Sequence, residues 1–177
     1  MTERMMHKVY LLLGGNEGDV PLAFKNAMLL MTGAGLRLSR TSSLYQSEAW
    51  GEGVSGMFHN MVVEAFTSMS PLELLRFLNL IEAKLGRRRI AGVVGDRPVD
   101  IDILFFEDQV IVLPELIIPH PRLQLRKFAL VPLCEIAPDI MHPLLGKTAR
   151  QLLLDTNDKL LVRKLDGDAL QRYSKSE

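Results

Sequence analysis

Apolar positions along the chain fall into short blocks whose spacing changes from one element to the next. From Lys8 to Leu13 they form a short run ending at Gly14-Gly15, the pattern of a buried strand followed by a sharp turn. Asp19 can then cap a helix with Pro21 in its first turn, placing Val20, Phe24, Ala27, Met28 and Met31 on one face. Gly33 and Gly35 end it. A strand is predicted over Leu36 to Tyr45, then a polar, glycine-rich loop from Ser47 to Gly56, then a strand from Phe58 to Phe66.

Ser70-Pro71-Leu72-Glu73 is a capping box with proline near the first helical position. The stripe Leu74, Leu75, Leu78, Ile81, Leu85 follows, and Gly86 is the expected stop. Arg87 to Asp96 carries no periodic pattern and is expected to be a mobile loop. Pro98 to Phe106 is an apolar strand interrupted only by two aspartates, with Val110 to Leu113 as its expected hairpin partner. From Pro114 to Pro143 the prolines predict loop, apart from a short helix near Ala129 to Glu135. Ala149 to Leu154 is a last small helix, and the charged tail beyond Asp155 is expected to be loosely held. The order strand, helix, strand, strand, helix, strand predicts a mainly antiparallel α+β sandwich of ferredoxin-like type, with two helices packed on one sheet face. The chain reads as one domain, residues 1–177, with its core over about 8–155.

Composition narrows the functional classes. Apolar residues make up 47% and charged residues 24% of the chain, an ordinary globular balance. The formal net charge is zero, so no global field draws the protein to nucleic acid or to a membrane, and an anionic ligand must meet locally clustered cations. The single cysteine, Cys134, cannot form an intramolecular disulfide, which suits a reducing cytoplasm. The first residues hold no cleavage site and no span long enough for a bilayer. A cytoplasmic monomer acting on small molecules is expected.

Candidate chemistry centres on Asp100-Ile101-Asp102. In a strand these two carboxylates share one face about 6–7 Å apart, opposite Val99, Ile101 and Ile103. Like charges on a half-buried face need a compensating cation. Mg²⁺ meets that need, since it prefers oxygen and is held by one or two carboxylates plus substrate phosphates. Alone, the pair reads more readily as a polar strand face meeting water. The neighbourhood favours the metal: Arg87, Arg88 and Arg89 lie just upstream, and guanidinium groups neutralise phosphate charge. Arg97 falls on the opposite face unless the chain bends at Pro98. His120, fixed between Pro119 and Pro121, suits a hydrogen bond to a phosphate and reads equally as a turn residue. His7, His59 and His142 have no such context. Phe58 and Asn60 share a strand face, a seat for a flat heterocycle, although Phe58 and Phe128 both read as core residues on their own. Gly146-Lys147-Thr148 is not a P-loop, because Met141 stands where that motif needs glycine, and Gly14 to Gly18 lacks the dinucleotide spacing.

Taken together these residues resemble a known family. Arg97-Pro98-Val99-Asp100-Ile101-Asp102-Ile103-Leu104 is similar to the R-x-x-D-[LIV]-D-[LIVM]-[LIVM] signature of 6-hydroxymethyl-7,8-dihydropterin pyrophosphokinases, enzymes of the folate pathway. Further matches follow in order: Gly14 to Gly18, Ser43 to Ser47, Phe58 to Asn60, Ile81 to Arg87, Pro119 to Pro121, Arg126 to Phe128 and Leu130 to Pro138. The resemblance implies Mg²⁺-dependent transfer of pyrophosphate from ATP to a reduced hydroxymethylpterin, with AMP released. It implies that Asp100 and Asp102 hold two Mg²⁺ ions, that Arg87 and Arg97 are catalytic, and that His120 lies near the transferred group. Glu82, Arg97, Ile103, His120 and Arg126 would hold ATP. Ser47, Glu48, Trp50, Phe58, Asn60 and Phe128 would form the pterin pocket, with backbone of Ser47 to Trp50 contributing and the two phenylalanines sandwiching the ring.

The chain also departs from the family pattern. Gly15 stands where serine is usual, Glu48-Ala49 where some members have two prolines, and Phe58 where many have tyrosine. Val93-Val94 stands where some have a basic residue and tryptophan, leaving Arg88 or Arg89 as its substitute. Three rival readings are another Mg²⁺-dependent phosphotransferase, a non-catalytic ligand-binding domain of the same fold, and an interaction domain.

Overall fold

Six strands build the main sheet, and the apolar run near the start of the chain lies inside it. The computed structural model describes residues 5–50, 56–88 and 95–166. In chain order they form β1 (His7–Gly15), α1 (Val20–Gly33), β2 (Arg37–Thr41), β3 (Tyr45–Glu48), β4 (Met57–Thr67) and α2 (Pro71–Lys84). Then come β5 (Asp100–Phe106), β6 (Ile111–Val112), β7 (Ile117–Ile118), a 3₁₀ turn at Leu123–Leu125, and α3 (Lys127–Ile136). The last are β8 (Met141–His142), β9 (Lys147–Thr148), α4 (Ala149–Asp155) and β10 (Val162–Lys164). The sheet order is β10-β3-β4-β1-β5, with β2 also on β4, and all its pairings are antiparallel.

Helices cover both faces of this sheet, which explains why β1 is apolar without alternation. Val9, Leu11 and Leu13 pack with Phe24 and Met31 of α1 and Leu74, Leu78 and Ile81 of α2. Tyr10 and Leu12 pack with Leu130 and Leu133 of α3 and Leu152 of α4. The ferredoxin-like sandwich expected from the element order is therefore present. Two helices share one face as expected, and α3 with α4 add a layer on the other. Caps form where the sequence places them: Asp19 Oδ1 accepts the Leu22 N–H at 3.0 Å, and Ser70 and Glu73 close their box.

Four expectations need correction. The strand predicted over Leu36 to Tyr45 is two strands. The Ser42 hydroxyl accepts the Val62 N–H at 2.9 Å while the Ser42 N–H donates to Val62 O at 2.8 Å, so a side chain interrupts the ladder and pairing resumes at Tyr45. Val110 to Leu113 is not the partner of β5. β6 pairs with β7, closed by reciprocal Leu113–Leu116 backbone bonds around Pro114-Glu115, a tight local turn that outcompetes a distant pairing. Regular pairing in β5 begins at Asp100, two residues after Pro98. The tail is not loose throughout: β10 pairs with β3. Residues 89–94 of the predicted loop, Arg89 and Val93-Val94 among them, lie outside the described residues.

One polar cluster ties β1, β2, β4 and α3 together. Glu64, almost fully buried, accepts from Tyr10 Oη at 2.6 Å, Ser39 Oγ at 2.7 Å and Arg40 Nη2 at 2.7 Å, and Arg40 Nη1 also donates to Ile136 O at 2.8 Å. Burial opposes the Glu64 charge, but the bonds from Arg40, Ser39 and Tyr10 outweigh it and hold the carboxyl at about 2 against an ordinary 4.5. A depressed folded-state pKa stabilises the fold above the unfolded value and loses that contribution as pH falls through the folded one. Glu64→Gln is expected to lower Tm by about 5 °C at neutral pH. It should also flatten the fall in stability between about pH 4.5 and pH 2, read from thermal melts across that range.

Candidate active site

Strand alternation decides which side chains meet. Val99, Ile101 and Ile103 are buried in the α1–α2 layer, so Asp100 and Asp102 face the α3 side. The register carries this row across the sheet. Asp100 is opposite Gly14, Gly14 opposite Asn60, and Asn60 opposite Tyr45, while Phe58 is opposite Ser47. Opposed residues share a face, so Ser47, Phe58 and Asn60 lie on the acidic side. Gly14 sits between the amide and the acid. A Cβ there would come within 3.2 Å of Asn60 Oδ1, so its absence leaves room for the amide.

Cations converge on the acidic pair from three segments. Arg87, at the end of α2, bonds Asp100 Oδ1 and lies 2.7 Å from Glu82 Oε2. Arg97 Nε donates to Asp100 Oδ2 at 3.0 Å. The bend at Pro98 is present, so Arg97 reaches the acidic face as the sequence required. Asp102 is less well matched: Arg126 Nη1 and His120 Nε2 stand 3.7 and 3.6 Å from its Oδ2. No hydrogen bond to its carboxylate is present among the described residues. Burial first, then repulsion from Asp100, pushes the Asp102 carboxyl up to about 7, against the pull of Arg126.

His120 is placed by the β5 edge, its N–H donating to Leu104 O at 3.0 Å. Burial, then the charges of Arg126 and Arg122, pull its pKa down to about 4, so the ring is neutral near pH 7. Its Nδ1 accepts the Arg122 N–H at 3.3 Å, while Nε2 faces both Arg126 Nη1 at 3.4 Å and Asp102 Oδ2 at 3.6 Å. Burial likewise lowers the pKa of Arg126. For Arg87 burial acts downward, but Asp100 and Glu82 outweigh it and the net shift is upward.

The same guanidinium groups reach the aromatic side chains. Arg97 lies over the Phe58 ring at 5.0 Å, and Arg126 over Trp50 at 4.9 Å and Phe128 at 5.6 Å. Trp50 and Phe128 meet edge to face at 6.4 Å between centroids. Asn60 Nδ2 donates to Ser47 Oγ at 3.2 Å, both residues nearly fully buried. The structure thus joins Asp100, Asp102, Arg87, Arg97, His120 and Arg126 to Ser47, Phe58, Asn60, Trp50 and Phe128.

Three predicted site residues stand apart. The Ile103 side chain is in the opposite core layer, so only its backbone could meet a ligand on the acidic face. Glu48 is exposed and alternates away from Ser47. Glu82 is buried with both oxygens engaged, Oε1 by the Ile101 N–H at 2.7 Å and Oε2 by Arg87. It anchors the strand start, a different task from the adenosine contact expected of it. Arg88 is exposed.

Sequence reasoning missed the parts that set this geometry. Asn16 Oδ1 accepts the Arg97 N–H at 3.0 Å, its own N–H donates to Arg97 O at 3.0 Å, and Nδ2 reaches Asp96 at 2.6 Å. Its signal was its place in the opening motif. A Cβ at Gly15 would lie 2.3 Å from Pro98 O, so the departure from serine matches a close approach of the arginine segment. Arg122 lies 5.7 Å over Trp50; only its place after Pro119-His120-Pro121 pointed to it. Glu135 gathers Ser43 N, Ser43 Oγ, Tyr45 Oη and Lys164 Nζ at 2.8–2.9 Å, which accounts for two of the matched motifs as scaffold.

Fold and site together define a ferredoxin-like α+β protein with an acidic pair ringed by arginines beside an aromatic cluster, a layout suited to handling a polyphosphate next to a flat ring. Comparison with known proteins narrows this further. The sequence model of the family described as 7,8-dihydro-6-hydroxymethylpterin-pyrophosphokinase (HPPK) matches residues 10–138, and the chain belongs to that family. A 2-amino-4-hydroxy-6-hydroxymethyldihydropteridine pyrophosphokinase of Aquifex aeolicus is 38% identical over 146 residues, covering 82% of this chain and 90% of that one. One of the same name from Synechocystis sp. is 43% identical over 142 residues, covering 80% and 72%. The crystal structure of Plasmodium falciparum wild-type HPPK-DHPS superposes with a TM-score of 0.64 at 18% identity. It covers 87% of this chain, which spans under half (45%) of that longer protein, and the likeness speaks for the fold.

Two substitutions test the frame. Glu82→Ala leaves the Ile101 N–H unpaired and strips a half-buried guanidinium of a partner, and is expected to lower unfolding free energy by about 3 kcal/mol in urea titration. Gly15→Ser forces the 97–98 backbone outward and is expected to cost about 2 kcal/mol by the same measurement.

Proposed function

We propose that this chain transfers pyrophosphate from ATP to the hydroxymethyl group of 6-hydroxymethyl-7,8-dihydropterin, releasing AMP, as a cytoplasmic monomer in folate biosynthesis. The observation that carries this is the double contact of two arginines. Arg97 bonds Asp100 and covers Phe58, while Arg126 faces Asp102 and covers Phe128 and Trp50. A nucleotide's phosphates and a flat acceptor ring would therefore lie against contiguous groups. No helix among the described residues is long and apolar enough to cross a membrane.

The donor set fits Mg²⁺. Asp102 is a half-buried carboxylate without a hydrogen bond among the described residues, two residues from a second carboxylate. No group of three or more His, Cys, Asp or Glu side chains could cage an ion by itself among the described residues. Phosphate oxygens and water would complete the coordination, the usual manner for Mg²⁺. When bound, the ion neutralises phosphate charge. Two such ions, held by Asp100 and Asp102, belong to the proposal.

In the reaction, the pterin hydroxymethyl oxygen forms a bond to the β-phosphorus and loses its proton to water. The bond from that phosphorus to the α–β bridging oxygen breaks, and AMP leaves with the oxygen. Arg87 and Arg97 stabilise charge on the transferred group, Arg126 holds phosphate, and neutral His120 presents Nε2 beside it. Asn60 and Ser47 offer an amide and a hydroxyl to the ring edge, and Phe58 and Phe128 its faces. Positioning and charge stabilisation carry the rate, with no covalent enzyme intermediate.

Mixing the protein with ATP, Mg²⁺ and the reduced hydroxymethylpterin is expected to yield AMP, and formation of ADP would refute pyrophosphoryl transfer. Asp102→Ala should lower kcat by about 10³-fold or more, and Arg97→Ala by about 10²-fold, with unchanged far-UV circular dichroism. Normal turnover by Asp102→Ala would remove the metal assignment.

A further inference from the structure

The segment after α4 is bonded to both sides of this site. Asp158 Oδ2 accepts the Lys127 N–H at 2.8 Å, Oδ1 accepts the Leu160 N–H at 3.0 Å, and the Asp158 N–H donates to Thr156 Oγ1 at 3.3 Å. α3 has no cap of its own, because Arg126 in the cap position makes no side-chain cap bond. A carboxylate from 31 residues further on therefore satisfies the first helical N–H, where the helix dipole favours negative charge. Lys127 stands between Arg126 and Phe128, so this bond holds the turn that presents both.

The chain then continues to β3. Val162 pairs with Ser47, Lys164 Nζ reaches Glu135 Oε1 at 2.9 Å, and the Leu165 N–H donates to Leu44 O at 2.9 Å. One stretch, 158–165, thus ties the turn carrying Arg126 and Phe128 to the strand carrying Ser47.

We propose that Asp158 is a positioning residue that sets the first turn of α3, and through it the places of the Arg126 guanidinium and the Phe128 ring. The inference rests on the functional reading for what those two groups contact, but the placement can be measured without it. Trp50 is the only tryptophan in the sequence, and it touches both Arg126 and Phe128. Its fluorescence reports the geometry of that turn directly.

The test uses the full chain in four forms. Asp158→Ala removes the acceptor, and Asp158→Asn keeps an oxygen that can accept the same N–H. Lys127→Pro removes the donor at a position where proline suits a helix start. Thr148→Ala strips the side-chain cap of α4 and serves as a control for general destabilisation. Asp158→Ala and Lys127→Pro are each expected to shift Trp50 emission and increase its quenching by acrylamide. Each should also raise KM for the pterin about tenfold with a smaller change in kcat. Combined, they should do no more than either alone. Asp158→Asn should restore most of both readouts, and Thr148→Ala should move neither at a comparable loss of Tm. Wild-type Trp50 emission in both Asp158→Ala and Lys127→Pro, or an equal shift in Thr148→Ala, would overturn the proposal. A wild-type protein that forms no AMP would instead sink the functional reading, while the Trp50 comparison would still decide the positioning.

Discussion

Two carboxylates on one half-buried strand face repel each other, and the surrounding structure answers that repulsion unevenly. Asp100 is satisfied within the protein, bonded by Arg87 and Arg97. Asp102 is not, because Arg126 stands at 3.7 Å and neutral His120 at 3.6 Å, and its carboxyl is pushed up to about 7. An unevenly compensated pair has one member already restrained and one free to take a further cation. In the proposed function that cation is Mg²⁺ with phosphate ligands, ringed by the arginines, the histidine and the aromatic groups.

Holding the arrangement takes contacts far apart in sequence. Asn16 clips the Arg97 backbone through its side-chain Oδ1 and its own N–H, the absence of a side chain at Gly15 lets the segment approach, and Glu82 fixes the first residues of β5 from the opposite layer. Asp158 and β10 perform the equivalent task for Arg126 and Phe128. Rigid elements thus supply the acids while loops and helix ends supply the cations, and each loop is pinned by at least one buried or half-buried hydrogen bond. Loops positioned on a scaffold in this way are where recognition groups usually lie.

Much of this was legible in the residues. Alternation alone separates Asp100 and Asp102 from Val99, Ile101 and Ile103, and the structure keeps that division. The Asp19 cap, the Ser70–Glu73 capping box and the apolar stripes placed α1 and α2 within a residue or two. Other features were hidden for identifiable reasons. The break at Ser42 depends on a hydroxyl accepting from Val62, a partner 20 residues distant. The β6–β7 hairpin follows from a two-residue turn at Pro114-Glu115 that periodicity does not show. Glu82 is tied to the adenosine by the family resemblance alone, and only its bond to the Ile101 N–H reveals an anchor. Glu48 and Ile103 are grouped with the site by the family resemblance, whereas pleating turns their side chains elsewhere.

By itself, then, the sequence determined which residue types exist to do chemistry, which strand faces they occupy, and the family they mark. These are properties of local spacing, because side-chain direction in a strand or helix repeats every few residues. Only the tertiary structure decided how the faces combine. It brought Arg97 round the bend at Pro98, set Gly14 between Asn60 and Asp100, and drew a carboxylate from beyond α4 to the start of α3. Such placements depend on distances between segments tens of residues apart, and no periodicity along the chain encodes those.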